Sequence, residues 1–159
     1  MIQSLHCHKE TPVTPSTQGP QPVPTTETAP YWQAALEGRL KIQFCRSCNR
    51  HQFYPRRFCT ECLSDGIEWV QASGRGHIYT YTVCHVAAHP AFEPRVPYAI
   101  GMVALEEGVR MLAGIVAPIP DRLAIGEPVE VCFEPIGDAV ALPMFRLADG
   151  ESTASPKQR

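Results

Sequence analysis

Residues 45–62 read CRSCNRHQFYPRRFCTEC: two Cys-x-x-Cys pairs separated by ten residues, three of which are arginine. Three chemistries compete for such a stretch: a redox centre, a basic nucleic-acid finger and a metal staple. A Cys-x-x-Cys knuckle lets two thiolates and nearby backbone N–H groups converge on one cation, and two knuckles complete a tetrahedron. The residue after a knuckle often needs a left-handed backbone. Asn49, after Cys48, tolerates it, and Gly66 is the less strictly placed counterpart behind the second pair. Four thiolates leave no open coordination position, so Cys45, Cys48, Cys59 and Cys62 are assigned to a structural metal and not to a hydrolytic centre.

Zinc is the expected ion. Iron in a rubredoxin-like electron carrier uses the same ligand set, and spacing does not separate the two. Redox-active Cys-x-x-Cys motifs of the thioredoxin type come singly at a helix start, and this segment has neither feature. The first ten residues hold no apolar run and nothing approaches a membrane-spanning length, so the chain reads as cytoplasmic, without signal peptide or membrane segment. A reducing compartment favours metal over disulfide for clustered thiols.

Working outward, LKIQF before the cysteines and IEWVQA after them are strand-like, which gives a ribbon. Upstream, residues 29–40 read as a short helix: Pro30 suits a first turn, WQAAL supplies helix formers, and Gly38 fits a stop. That helix carries Tyr31, Trp32, Ala35 and Leu36, either packed on its own domain or offered to a partner or ligand groove. Residues 1–29, rich in Pro and Thr, bury too little apolar surface to offset their ordering entropy and read as a disordered tail. Residues 149–159 read as a flexible C-terminal tail.

From Ser73 to Ala148 the text is almost all strand: GHIYTYTVCHV, YAIGMVALE, VRMLAGIVA, PVEVCFEPI and LPMFRL. Five short strands, with a tight turn at Glu107-Gly108, predict a five-stranded OB-fold barrel. Gly101 and Gly114 are placed at barrel bends. Beyond residue 72 only DRLAI hints at helix. The expected fold is therefore mainly β: helix and four-Cys ribbon over 30–72, then an OB-fold over 73–148.

Charge is divided unevenly. Residues 31–73 hold six Lys/Arg against four acids, whereas residues 74–148 hold five arginines against eight acids. Single-stranded nucleic-acid binding, common among OB-folds, needs a basic groove lined with aromatics, and an acidic barrel argues against it. Arg46, Arg50, Arg56 and Arg57 read as a solvated ribbon surface or as a patch for an acidic partner or a nucleotide's phosphates. His85 and His89 fall in a Pro-containing loop, and His6-Cys7-His8 in the tail. Cys84 and Cys132 read as small core residues. Glu106-Glu107 reads as a solvated turn. No nucleophile elbow, phosphate loop, Rossmann glycine pattern or carboxylate pair is present, so the chain lacks the parts of a self-sufficient enzyme.

The order of the pieces is more specific than the cysteines alone. YWQAALEGRLKIQFCRSCNRHQFYPRRFCTEC, then SGRGHIYTYTV, PYAIGMVALEEGVRMLAG, IGEPVEVCFE and LPMFR, resembles the zinc-ribbon plus OB-fold accessory proteins associated with thiolases and other acyl-CoA enzymes. The likeness runs over residues 30–147 and departs at Tyr54, where the family often has proline, and in its shorter pre-ribbon helix. It implies structural zinc, acyl-CoA as a candidate ligand, and a hetero-oligomer with a thiolase-like or ketoacyl-synthase-like catalytic subunit, with a second acyl-CoA enzyme as a further candidate. On that resemblance the chain is expected to be a non-catalytic subunit of a thiolase-type acyltransferase complex, with a hydratase or aldolase complex as the alternative. Tyr31, Trp32, Leu36, Phe53 and Tyr54 are the expected partner- or acyl-facing residues.

Overall fold

Apolar alternation with a period of two should close a sheet around its inward side chains, and the computed structural model shows that arrangement. It describes residues 19–117, 123–137 and 139–148. The elements are α1 (Ala29–Leu36), β1 (Lys41–Cys45), β2 (Arg50–Gln52), β3 (Ile67–Gln71), β4 (Arg75–Cys84), a 3-10 helix (Pro90–Arg95), β5 (Tyr98–Leu105), β6 (Arg110–Val116), β7 (Pro128–Ile136) and β8 (Val140–Leu147). The ribbon is an antiparallel sheet ordered β2-β1-β3, and the remaining strands form a closed barrel ordered β4-β5-β6-β8-β7. This is the mainly β architecture expected, a short helix and four-Cys ribbon followed by an OB-fold.

In β5 every second residue is buried (Ala99, Gly101, Val103, Leu105), which is the barrel's inward row. Ile78, Val103, Met111, Val129 and Phe145 fill the interior. β6 and β8 run parallel through Ile115–Phe145 and Val116–Arg146, while Arg75–Glu130, Gly76–Val129 and His77–Pro128 close the ring between β4 and β7. Gly101 serves close approach: a Cβ there would sit 2.4 Å from Ile115 Cδ1 and 2.8 Å from the Thr80 carbonyl oxygen. At Gly114 the obstacle is the flexible end of Met144, 2.3 Å away.

The helix is shorter than its predicted span. It ends at Leu36, because Gly38 turns left-handed (φ 70°) and Arg39 N–H reaches back to the Ala34 carbonyl at 2.8 Å. It packs on β1 of the ribbon and on β7 and β8 of the barrel. Tyr31, Trp32 and Ala35 consequently share one core cluster with Leu40 and Ile42 of the ribbon and with the barrel interior.

Three expectations need correction. Part of the predicted N-terminal tail is structured: Gly19 lies against Ala91 and Phe92, Gln21 beside Gly137, and Thr28 is buried. Thr25 N–H donates to Thr28 Oγ1 at 2.9 Å, and Ala29 N–H to the Thr25 carbonyl at 2.8 Å. Threonine hydroxyls that bond nearby backbone thus build the turn that launches α1. Residues 1–18, with His6-Cys7-His8, and residues 149–159 lie outside the described residues. The β4–β5 connection holds a 3-10 helix that the sequence reading lacked. Its N-cap is His89, whose Nδ1 accepts from Ala91 N–H at 3.2 Å. In DRLAI, Asp121 and Arg122 lie outside the described residues, and Leu123 and Ala124 are not helical.

Candidate metal centre and exposed surface

β1 delivers Cys45 at its last position, and the following turn brings Cys48 alongside; Cys59 and Cys62 come from the matching turn before β3. Asn49 is left-handed (φ 55°), as the sequence implies. Its counterpart in the second knuckle is Leu63 (φ 60°), which follows Cys62 directly; Gly66 is not the left-handed residue. Leu63 N–H donates to the Cys59 carbonyl at 3.0 Å, and Cys59 N–H to the Ser64 carbonyl at 2.8 Å, so the turn enforces the strained residue.

The four sulfurs lie within 4.8 Å of one another, with Cys45–Cys62 and Cys48–Cys59 each 3.6 Å apart. A tetrahedron with zinc–sulfur bonds of 2.3 Å has edges of about 3.8 Å, so the donor set and its size fit a tetrathiolate ion. Backbone N–H groups of Cys62 and Glu61 lower the Cys59 thiol to about 6. Desolvation and the hydrogen-bonding thiols around it raise Cys48 to about 12. Cys45 and Cys59 are buried, Cys48 is half-buried and Cys62 is exposed.

A buried polar bridge holds the knuckles in place. Gln43 and Gln52 face each other across β1 and β2, with Gln52 Nε2 donating to Gln43 Oε1 at 2.7 Å. Gln43 Oε1 also accepts from Arg56 N–H at 2.8 Å, and Gln52 Oε1 from Thr60 N–H at 3.0 Å. The loop between the cysteine pairs is thereby tied to the sheet. The sequence does not announce this bridge: in KIQFC Gln43 alternates with the apolar Ile42 and Phe44, which reads as an outward position, yet it is buried. At the surface Arg46 pairs with Glu68, Arg50 with Glu61, and Ser47 Oγ lies 2.7 Å from Ser64 Oγ.

The predicted partner-facing residues fall into two groups. Tyr31 (5% exposed) and Trp32 (9%) are in the core, and burial, then the Tyr54 charge, pushes the Tyr31 phenol well above its usual range. Helix burial against β1, β7 and β8 removes both from the surface, correcting their assignment as outward residues. Leu36 (45%) and Tyr54 (49%) are exposed, and Phe53 is half-buried. The aromatic rings form a chain: Trp32 to Tyr31 at 4.9 Å, Tyr31 to Phe53 at 5.7 Å and Phe53 to Tyr54 at 5.5 Å. Tyr54 is therefore the solvent end of a stack rooted in the core.

His85 is exposed, and His89 spends its Nδ1 on the 3-10 cap. Cys132 is fully buried, whereas Cys84 is only half-buried at the end of β4. Glu107, expected to be solvated, is half-buried and accepts from Ser73 N–H at 2.5 Å through Oε1. No helix among the described residues is long and apolar enough to cross a membrane.

Two family models match. One, described as the ChsH2 rubredoxin-like zinc ribbon domain, covers residues 32–68, and the other, the ChsH2 C-terminal OB-fold domain, covers residues 69–134. A probable enoyl-CoA hydratase alpha subunit of Thermomonospora curvata is 35% identical over 88% of this chain and 43% of its own length. A DUF35 domain-containing scaffold protein of Methanothermobacter thermautotrophicus is 34% identical over 70% of this chain and 84% of its own. The benzoylsuccinyl-CoA thiolase subunit BbsA of Geobacter metallireducens is 29% identical over 61% of this chain and 63% of its own. A solved structure described as the Ltp2-ChsH2(DUF35) aldolase superposes with a TM-score of 0.72 at 35% identity, covering 80% of this chain and 98% of that one. The chain spans less than half the length of the hydratase alpha subunit.

Proposed function

As the chain belongs to the DUF35 family, of zinc-ribbon and OB-fold architecture, we propose that it is the non-catalytic scaffold subunit of an acyl-CoA enzyme complex. The observation that carries this reading is the shared core. α1 packs on both the four-thiol ribbon and the barrel, so a closed tetrathiolate fixes one body that can hold a catalytic subunit. Cys45, Cys48, Cys59 and Cys62 would hold structural zinc, which supplies rigidity and no reacting ligand position. Leu36 and Tyr54 are the exposed apolar contacts offered to the partner, with Tyr31, Trp32 and Phe53 packed behind them.

A thiolase-type acyltransferase is the partner that the resemblance favours, and the names of relatives support a hydratase or an aldolase equally. In each case the larger subunit supplies the reacting groups, and this chain positions it or covers its acyl channel. The test is purification of the tagged full chain from its native host. An acyl-CoA enzyme should co-purify, and Cys45→Ser should lose zinc and that enzyme together. A complex that survives metal loss with its activity intact would sink the staple role. Leu36→Asp and Tyr54→Asp should each weaken co-purification while leaving the melting temperature within a degree or two, since both side chains are exposed.

A further inference from the structure

Four arginines lie between the first and last ribbon cysteines, and they divide into two kinds. Arg46 is paired with Glu68 and Arg50 with Glu61. Arg56 and Arg57 are exposed, and among the described residues neither forms an ion pair. Glu27 and Asp65 border the same shallow hollow as these two arginines but stand beyond ion-pair distance. Arg57 instead lies over the Phe58 ring, 5.4 Å from its centre.

Residues 54–58 read YPRRF: two cations, two aromatic rings and no acid. Tyr54 and Phe58 are exposed on either side of the arginines. A floppy loop would lose much of its binding free energy to ordering, but this one is already ordered. Phe53, just before it, packs on Tyr31, and Pro55 is buried. Arg56 N–H donates to Gln43 Oε1 at 2.8 Å, and the Phe58 carbonyl accepts from Gln52 Nε2 at 3.4 Å. Cys59, the next residue, belongs to the four-thiol site. Buried groups thus fix the backbone while four side chains are left to solvent. Tyrosine and arginine are the residue types that dominate binding energy at protein interfaces.

We propose that the loop Tyr54–Phe58 docks an acidic segment of the catalytic partner. Carboxylates of that segment take the guanidinium forks of Arg56 and Arg57, and apolar side chains beside them cover Tyr54 and Phe58. Charge complementarity selects this occupant: these are the ribbon cations that the chain itself leaves unneutralised. Glu27 and Asp65 beside the arginines repel a dense polyanion, and the eight acids of residues 74–148 do so at longer range, which disfavours a nucleic-acid strand. The contact deepens the scaffold reading, on which it rests for the partner's existence, and supplies the chemistry by which that partner is recognised.

The test recombines the zinc-loaded full chain with its co-purifying acyl-CoA enzyme and follows association and dissociation at about 50 and about 300 mM salt. Arg56→Ala/Arg57→Ala should weaken the complex roughly tenfold or more and remove most of the salt dependence of association, with zinc content and melting temperature unchanged. Arg56→Lys/Arg57→Lys keeps the charge and loses the fork, so it should restore the salt dependence and only part of the affinity. A complex weakened by Leu36→Asp but not by the double alanine variant would end this inference and leave the scaffold role standing. The loop's chemistry is tested without any partner by an amidated peptide alternating glutamate with leucine, followed by NMR of the arginine side chains. That peptide should shift Arg56 and Arg57 Nε, and its lysine counterpart should not. No shift at millimolar concentration would overturn the docking loop even where the enzyme co-purifies. A shift in a chain that captures no acyl-CoA enzyme would uphold the loop's preference for acidic segments and end the scaffold reading instead. A single-stranded oligonucleotide that shifts the same resonances at lower concentration than the peptide would overturn the protein partner in favour of nucleic acid.

Discussion

Leu63 carries more of the ribbon's geometry than its chemistry suggests. An exposed leucine (77%) in a left-handed conformation gains little from burial and costs about 1–2 kcal/mol in backbone strain. Leu63→Asn should therefore stabilise the protein by up to about 1 kcal/mol, read as a raised melting temperature; a drop would mean that the side chain has an unrecognised contact. Gly101 and Gly114 divide in the opposite sense. A Cβ at Gly101 meets the Thr80 backbone, which cannot withdraw, whereas at Gly114 it meets the movable end of Met144. Gly101→Ala should cost about 1–3 kcal/mol, as overpacking does, and Gly114→Ala clearly less. Both glycines were visible in the sequence as interruptions of strands, but only coordinates distinguish a rigid obstacle from a flexible one. The four cysteines and Asn49 were legible because their spacing and backbone preference are local properties. Leu63 was not legible, because no intrinsic preference marks leucine as left-handed.

At the scale of elements, period-two alternation located each barrel strand to within a few residues, since burial on one face leaves its signature in every strand. The 3-10 helix escaped because PAFEPR holds two prolines, and only Pro90 stands where a first helical turn welcomes one. The turn that launches α1 escaped for another reason. Threonines read as tail on composition, yet Thr25 and Thr28 trade hydrogen bonds that composition does not reveal. The Gln43–Gln52 bridge should matter as an element. Gln43→Leu would take the acceptor from the Arg56 N–H and leave Gln52 Nε2 only its long 3.4 Å bond to the Phe58 carbonyl, costing about 1–3 kcal/mol and loosening the loop between the cysteine pairs. Hydrogen exchange at Arg56 and Thr60 should accelerate in that variant; unchanged protection there would show that the bridge is dispensable.

Across the whole molecule, ribbon and barrel share Tyr31, Trp32 and Ala35 as common core, so they should melt together. Phe145→Ala, deep in the barrel, should cost about 3–5 kcal/mol and lower the temperature at which the ribbon releases its metal as well as that of the barrel. Two separate transitions in calorimetry would contradict the shared core. This coupling was hidden in the sequence, where the helix gave no sign of which neighbours it would touch. The ribbon has a consequence of its own in time. Cys45 and Cys59 are sealed inside, and Cys62 stands at the surface. All four sulfurs determine how tightly an ion is held, but a chelator, an alkylating agent or an oxidant arrives first at Cys62. Affinity and residence time are thus set by different atoms, and the slow clock of metal exchange runs at that one corner.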